Sequence, residues 1–324
     1  MPEVYIKEAL NKEYLKVKIA RPSIELFKSN FIRLVDNIKS NVSRREDSHK
    51  TDIRDFLKDT WYKNDYYINI KEDIDLAIYE GKDENSSVSV IIETKSIVNK
   101  SEMITINNLK AKAMYEILLY YFIETIEHKN KNLKHLIITN AIEWFIFDAT
   151  NFYRVFSEDV NLVKEYNDFQ KKQLLDTRRE YFYESIAPEY IKKHEGNIKY
   201  VYFNIETFDT IIRNKNNDDD NKLISLYKLL SPENLLRLPF SNDSNNLNNN
   251  FYSELLYIMG LCEVIRDKKK VIERNEPDKQ IEGSLIENVI FRLENRISNK
   301  KELFETSLEL IITWINRILF LKLL

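Results

Sequence analysis

Apolar residues recur every three to four positions through "SIELFKSNFIRLVDNIKS" (23–40), which predicts an amphipathic helix opened by Ser23. A polar loop, "NVSRREDSHK", follows it. "TDIRDFLKDTWY" (51–62) then predicts a second short helix capped by Thr51 or Asp52. The period changes after that. "YYINI" (66–70), "IDLAIYE" (74–80) and "SVSVIIET" (87–94) read as strands, the last two joined by a hairpin loop, "GKDENS", built from turn-forming residues. "NNLKAKAMYEILLYYFIETIEH" (107–128) carries the strongest helix signal of the chain. "LKHLIITN" (133–140), "EWFIFDA" (143–149) and "FYRVF" (152–156) are β-like runs with tight polar breaks. The resulting order, α-α-β-β-β-α-β-β-β, describes an α/β domain with helices against a sheet.

The pattern shifts after Phe156. Residues 158–194 predict long charged helix, "VYFNI" (201–205) an isolated strand and 220–238 helix again. "SNDSNNLNNN" (241–250) reads as a loop, because Asn side chains compete with helix for backbone groups. From 251 onward the pattern is helical, interrupted near "NEPDKQIEG", and no internal repeat is visible. "LELIITWINRILFLKLL" (308–324) is apolar nearly all round and is broken by Asn316, Arg317 and Lys322, so it does not predict a membrane span. A helix apolar on all sides is normally buried. The expectation is that its burial partner lies beyond residue 324 and that these residues are the front part of a longer chain.

Composition narrows the function classes. The 324 residues are 43% hydrophobic and 31% charged, as in an ordinary folded protein. The net charge of −3 gives no global sign of a nucleic-acid partner, although a local groove matters more than the total. Cys262 is the lone cysteine and the four histidines are scattered, so neither a disulfide framework nor zinc-ligand spacing is present. A reducing cytoplasm is the expected setting. "MPEVYIKEAL" lacks the apolar stretch of a signal peptide. Only four glycines occur, and no two lie close enough to form a dinucleotide-binding or phosphate-cradling loop. Rossmann, kinase and P-loop chemistries are thereby set aside.

Charge inside the strand pattern is the informative anomaly. Asp75 begins one predicted strand, while Glu93 and Lys95 close the next. Residues two apart on a strand share a face, so Glu93 and Lys95 should project together, and the hairpin can bring Asp75 beside them. Two neighbouring carboxylates repel unless a cation lies between them, and oxygen-only ligation suits Mg²⁺. Phosphodiester hydrolysis uses such an assembly, with the lysine orienting water or stabilising charge on phosphorus. The bland alternative has Asp75 capping a turn and the other two on a solvated edge.

The order α-β-β-β-α-β with Asp…Glu-x-Lys resembles the PD-(D/E)xK nuclease superfamily. The wider chain resembles the N-terminal nuclease and connector of single-chain type IIG restriction–modification enzymes, which act in phage defence. The resembling stretches are "DIDLAIYE", "VIIETKS", "KAMYEILLYY", "LIITNAIEWFIFDA", "PFSNDSNNLNNNFYSELLYIMGL", "GSLIENVI" and "ITWINRILFLKLL", covering about residue 50 to the C-terminus. The resemblance implies a restriction-endonuclease-like mixed sheet flanked by helices over 1–157. A mainly α-helical connector over 158–324, cut before a methyltransferase domain, completes the expected organisation. It also implies Mg²⁺- or Mn²⁺-dependent hydrolysis of double-stranded DNA, with Asp75 and Glu93 as metal ligands and Lys95 as the catalytic lysine. The family's Pro is replaced by Ile74, and Glu116 stands where related nucleases often carry Gln, one helical turn before Tyr120.

Asp55, Glu116 and Tyr120 are the outer-shell candidates. Arg44, Arg45 and Lys50 are the candidates for contact with the DNA backbone. Trp61, Tyr62, Tyr66 and Tyr67 could stack on bases, but strand packing is the simpler reading. No Asn-Pro pair and no glycine-rich loop occurs, so S-adenosylmethionine would belong only to the downstream methyltransferase. The implied partners are double-stranded DNA, the methyltransferase and target-recognition domains of the same full-length chain, and a transient second copy for double-strand cleavage; no membrane is implied. The competing reading is a catalytically inactive DNA-binding or scaffolding module with a vestigial nuclease-like core. With Lys95 expected at a wet cleft, its replacement by Ala is expected to leave the fold intact.

Overall fold

The computed structural model describes residues 3–40, 46–71, 74–171, 178–214, 220–238, 249–266 and 269–323. The chain divides into two compact units, residues 1–244 and 245–324. The boundary expected at 157/158 therefore falls inside the first unit.

The first unit opens with three helices, α1 (Ile6–Ala9), α2 (Lys12–Lys16) and α3 (Arg21–Ser40), followed by α4 (Glu46–Leu57). Strands β1 (Ile68–Lys71), β2 (Ile74–Tyr79) and β3 (Val88–Thr94) come next, then α5 (Lys112–Phe122), β4 (His135–Thr139) and β5 (Glu143–Asp148). Helices α6 (Ala149–Phe152), α7 (Val160–Gln170), α8 (Arg179–Tyr181) and α9 (Ala187–His194) precede β6 (Tyr200–Asn204). Helices α10 (Asp209–Arg213), α11 (Asp220–Leu230) and α12 (Pro232–Leu235) close the unit.

The six strands form one sheet in sequence order, β1 to β6. Only β3 and β4 run parallel, with α5 in the connection between them; the other pairs are antiparallel. Parallel strands are covered on both faces and read as continuous apolar runs. That is the case here, since every residue of β3 and β4 is buried.

Alternation along the strands sorts the core into two layers. Leu76, Ile78, Val90, Ile92, Ile137 and Trp144 face Phe27, Phe31, Ile53 and Phe56 of α3 and α4 and Leu223 and Leu226 of α11. Ala77, Ile91, Leu136, Ile138, Phe145 and Phe147 face Met114, Ile117 and Leu118 of α5, with Phe152, Tyr166 and Ile191 completing that layer. The sheet is thus enclosed between helices, which leaves little room for a charge along its central strands.

Two sequence expectations are corrected, and the packing reading of the aromatic cluster holds. "FYRVF" is helical: the Asp148 side chain accepts from Thr150 N at 2.6 Å and caps α6, while Phe152, Val155 and Phe156 keep the three-four spacing of a buried helical face. "VYFNI" is not isolated but pairs antiparallel with β5, extending the sheet past residue 157. Trp61 packs against Phe27, Phe56 and Tyr227, and Tyr62 is fully buried, so this aromatic cluster serves the core.

The second unit is α13 (Asn249–Met259), strands β7 (Leu261–Arg266) and β8 (Lys269–Arg274), α14 (Leu285–Leu293) and α15 (Lys300–Leu323). It is mainly helical, but the β7–β8 hairpin stands where helix was expected. Gly260 stops α13 at φ +77°, a conformation glycine adopts without penalty, and "LCEVIR" and "KKVIER", each with β-branched residues, then pair with each other. Met259, Leu261, Ile286, Ile290 and Ile311 form its small core. Trp314 and Phe320 of α15 are more than half exposed, so that helix is not buried all round. "SNDSNNLNNN" lies mostly outside the described residues. No described helix is long and apolar enough to cross a membrane.

Candidate active site

The site grows from the end of β3. Glu93 and Lys95 are 3% and 4% exposed, because the strand that carries them is covered on both faces. Lys95 was expected at a wet cleft and is instead sealed among carboxylates. Its Nζ donates to Glu93 Oε1, as the i, i+2 spacing requires, and lies 2.6 Å from Glu116 Oε2 on α5. Glu116 faces the sheet because it shares the buried side of α5 with Ala113 and Tyr120, and Lys112, one turn earlier, comes to 3.7 Å from its Oε1. The backbone amide of Lys95 donates to Thr139 O at 2.8 Å, which ties the motif to the end of β4.

Asp75 arrives from β2. The pairing of Leu76 with Ile92 places it across from Glu93. The β1–β2 register slips between Asn69 and Lys71, and Ile74 packs in the same core layer as Ala77, three residues on. Strict alternation is thus broken around Asp75. Its carboxylate turns toward Thr94, accepting from Thr94 N at 2.8 Å and Thr94 Oγ1 at 2.7 Å through Oδ2. Oδ1 pairs with Lys50 Nζ of α4 at 2.6 Å. Lys50, expected on a DNA-facing loop, is therefore engaged with the site itself.

Electrostatics follow from this crowding. Burial pushes the Glu93 carboxyl well above its ordinary range, and the Asp75 and Glu116 carboxylates push the same way, against the pull of Lys95. Burial alone would lower Lys95, but Glu93 and Glu116 outweigh it and hold the ammonium above its usual value. The Tyr120 hydroxyl is raised by burial and by Glu93, and Tyr183 is pushed up to about 12 by burial and by Glu116. Tyr120 hydrogen-bonds Tyr183, a residue whose place at the site has no signature in the sequence beyond a helical pattern.

Other expected residues lie elsewhere. Asp55 pairs with its neighbour Arg54 at 2.9 Å and is not drawn to Glu93. Arg44 and Arg45 fall outside the described residues. Thr94, which supplies two of the hydrogen bonds to Asp75, was overlooked because its side chain belongs to the face opposite Glu93.

The donor set suits a hard divalent cation. Glu93 Oε2 is buried and accepts no hydrogen bond among the described residues, a costly arrangement for a carboxylate oxygen unless something positive meets it. Among the described residues no group of three or more His, Cys, Asp and Glu side chains is arranged around a metal position. Mg²⁺ is commonly held by one or two carboxylates with water and substrate phosphate supplying the rest; Glu93 offers an oxygen for such a mode, while the Asp75 carboxylate is engaged by Thr94 and Lys50.

No curated protein and no solved structure matches the chain. Two family models match in tandem and meet at residues 243 and 244, beside the division between the compact units. The second, Domain of unknown function (DUF7814), covers residues 244–324. The first covers most of the chain, residues 4–243, and the chain belongs to its family, described as Domain of unknown function (DUF7149).

Proposed function

We propose that this chain is the nuclease-bearing part of a single-chain type IIG-like restriction–modification enzyme, a metal-dependent endodeoxyribonuclease acting on double-stranded DNA. The observation that supports the reading best is the Glu93 carboxylate, which is buried with one oxygen on Lys95 and the other without a hydrogen-bond partner among the described residues, on the strand position across from Asp75. Asp75 and Glu93 would hold Mg²⁺ or Mn²⁺. When bound, such an ion polarises a phosphoryl oxygen and lowers the pKa of water.

The chain's own residues supply the rest. Glu93 and Glu116 fix Lys95 from two sides, keeping its ammonium charged and aimed where charge develops on phosphorus. Lys50 and Thr94 hold Asp75 in place. Attack by water in line with the leaving oxygen gives a 3′-hydroxyl and a 5′-phosphate, as the superfamily resemblance implies. The setting would be the cytoplasm, with downstream methyltransferase and target-recognition domains providing S-adenosylmethionine chemistry and site choice, and a transient dimer cutting both strands.

The test is plasmid cleavage by the purified chain with Mg²⁺ or Mn²⁺, beside calorimetric titration of the same metals without DNA. Wild type should cleave. Glu93→Gln and Asp75→Asn should lose both cleavage and metal binding, and Lys95→Ala should lose cleavage by about 10²-fold or more. Folded protein that binds DNA but neither cleaves it nor takes up metal through Glu93 would replace this reading with that of a DNA-binding scaffold.

A further inference from the structure

A cavity lies at the other end of the sheet from Glu93, where β4 begins, β5 ends and β6 begins. Its volume is about 420 Å³, within the range of small-molecule sites. Ile146, Val201 and Leu229 give it an apolar wall. We propose that this cavity binds a small organic phosphate, with Arg154 and Lys199 taking the phosphate and His135 taking a hydrogen-bond donor on the organic body. The inference does not depend on the nuclease reading.

Three observations support it. Arg154 and Lys199 both line the cavity with exposed side chains, and neither has an ion-pair partner among the described residues. The carboxylate of Asp148 is already committed, accepting from Arg237 at 2.5 Å and from Thr150 N at 2.6 Å, so the cavity keeps an uncompensated positive charge. Two unpaired cations at one mouth attract an anion.

The second observation is His135. Its Nδ1 meets Leu235 O at 2.9 Å, and since a carbonyl can only accept, Nδ1 carries the proton. Nε2 is then an acceptor with no partner among the described residues, on a ring that lines the cavity. The ring is buried, which keeps it neutral and in that role. An acceptor in a cavity that two cations also line matches a ligand with phosphate at one end and an N–H or O–H on an apolar body.

The third is Arg237. It holds φ +54°, uncommon for a residue with a side chain, and directs its guanidinium to Asp148 and Thr150 at the cavity. Backbone conformations of this kind concentrate at ligand sites, where the surrounding structure holds them in place.

Adenosine monophosphate serves as the probe, with adenosine and inorganic phosphate as its two halves, titrated calorimetrically into the full chain. AMP should bind at least about tenfold more tightly than either half. The double variant R154A/K199A changes exposed side chains only, so it should keep the wild-type melting temperature and bind AMP at least about tenfold more weakly. No binding of AMP to wild type, phosphate binding as tight as AMP, or a folded double variant within tenfold of wild type would each overturn the assignment.

Discussion

Replacing Lys95 by Ala tests how the site is held together when no metal is supplied. The Lys95 side chain is 5% exposed and touches two carboxylates, Glu93 at 3% and Glu116 at 11% exposure. Removing it leaves both acids buried without their shared counter-charge. Breaking a buried pair from one side costs about 3–5 kcal/mol, because the surviving charge stays desolvated. Protonation limits that loss: a carboxyl forced neutral near pH 7 costs about 1.4 kcal/mol for each unit its pKa must rise. A loss of about 3–4 kcal/mol at pH 7.5 is expected.

The pH dependence has a definite sign. In the variant the folded Glu93 carboxyl, raised by burial and now without the opposing pull of Lys95, holds its proton more tightly than the unfolded one, so the folded state gains relative stability as pH falls. The deficit should shrink by more than about 1 kcal/mol at pH 5.5. Glu93→Gln is the contrasting variant. It removes one of the like charges around Lys95 while keeping an acceptor for its Nζ, and Glu116 remains as counter-ion, so stability should change by less than about 1 kcal/mol. Urea unfolding followed by circular dichroism at both pH values measures all three quantities. A Lys95→Ala loss below about 1 kcal/mol, or a deficit that grows on acidification, would refute the sealed-cluster account.

His135 should make the first unit acid-sensitive: its pKa falls from 6.5 to about 4 on folding, chiefly through burial, so stability is complete above pH 6.5 and is lost as pH falls toward 4. The loss amounts to about 3 kcal/mol, and His135→Gln should flatten that part of the pH–stability curve; an unchanged slope over pH 4–6.5 would remove His135 as its source. Lys228 is 1% exposed and donates to Tyr14 O at 2.7 Å, Leu15 O at 2.9 Å and Val17 O at 2.7 Å, closing the end of α2. Lys228→Met should cost about 2–4 kcal/mol in urea unfolding and open residues 12–17 to limited proteolysis, and undiminished protease resistance would contradict that role.

Much of this protein is legible along the chain. Periodicity alone located α3, β1 to β5 and α5, because each buries a face whose spacing matches its own geometry, and the pair Glu93 and Lys95 was placed on one side by the two-residue period of a strand. Where two readings share a pattern, local sequence could not choose between them. "FYRVF" suits strand or helix, and the cap from Asp148 decides for helix; "VYFNI" looks isolated until β5 presents an open edge 50-odd residues earlier in the sequence. Only the tertiary structure decided the character of the site. Two helical layers close over β3 and turn an expected wet lysine into a buried one, α5 swings Glu116 onto it, and α4 brings Lys50 to Asp75. Burial and the meeting of charges distant in sequence depend on how layers pack, and no period within one segment encodes which other segment will cover it.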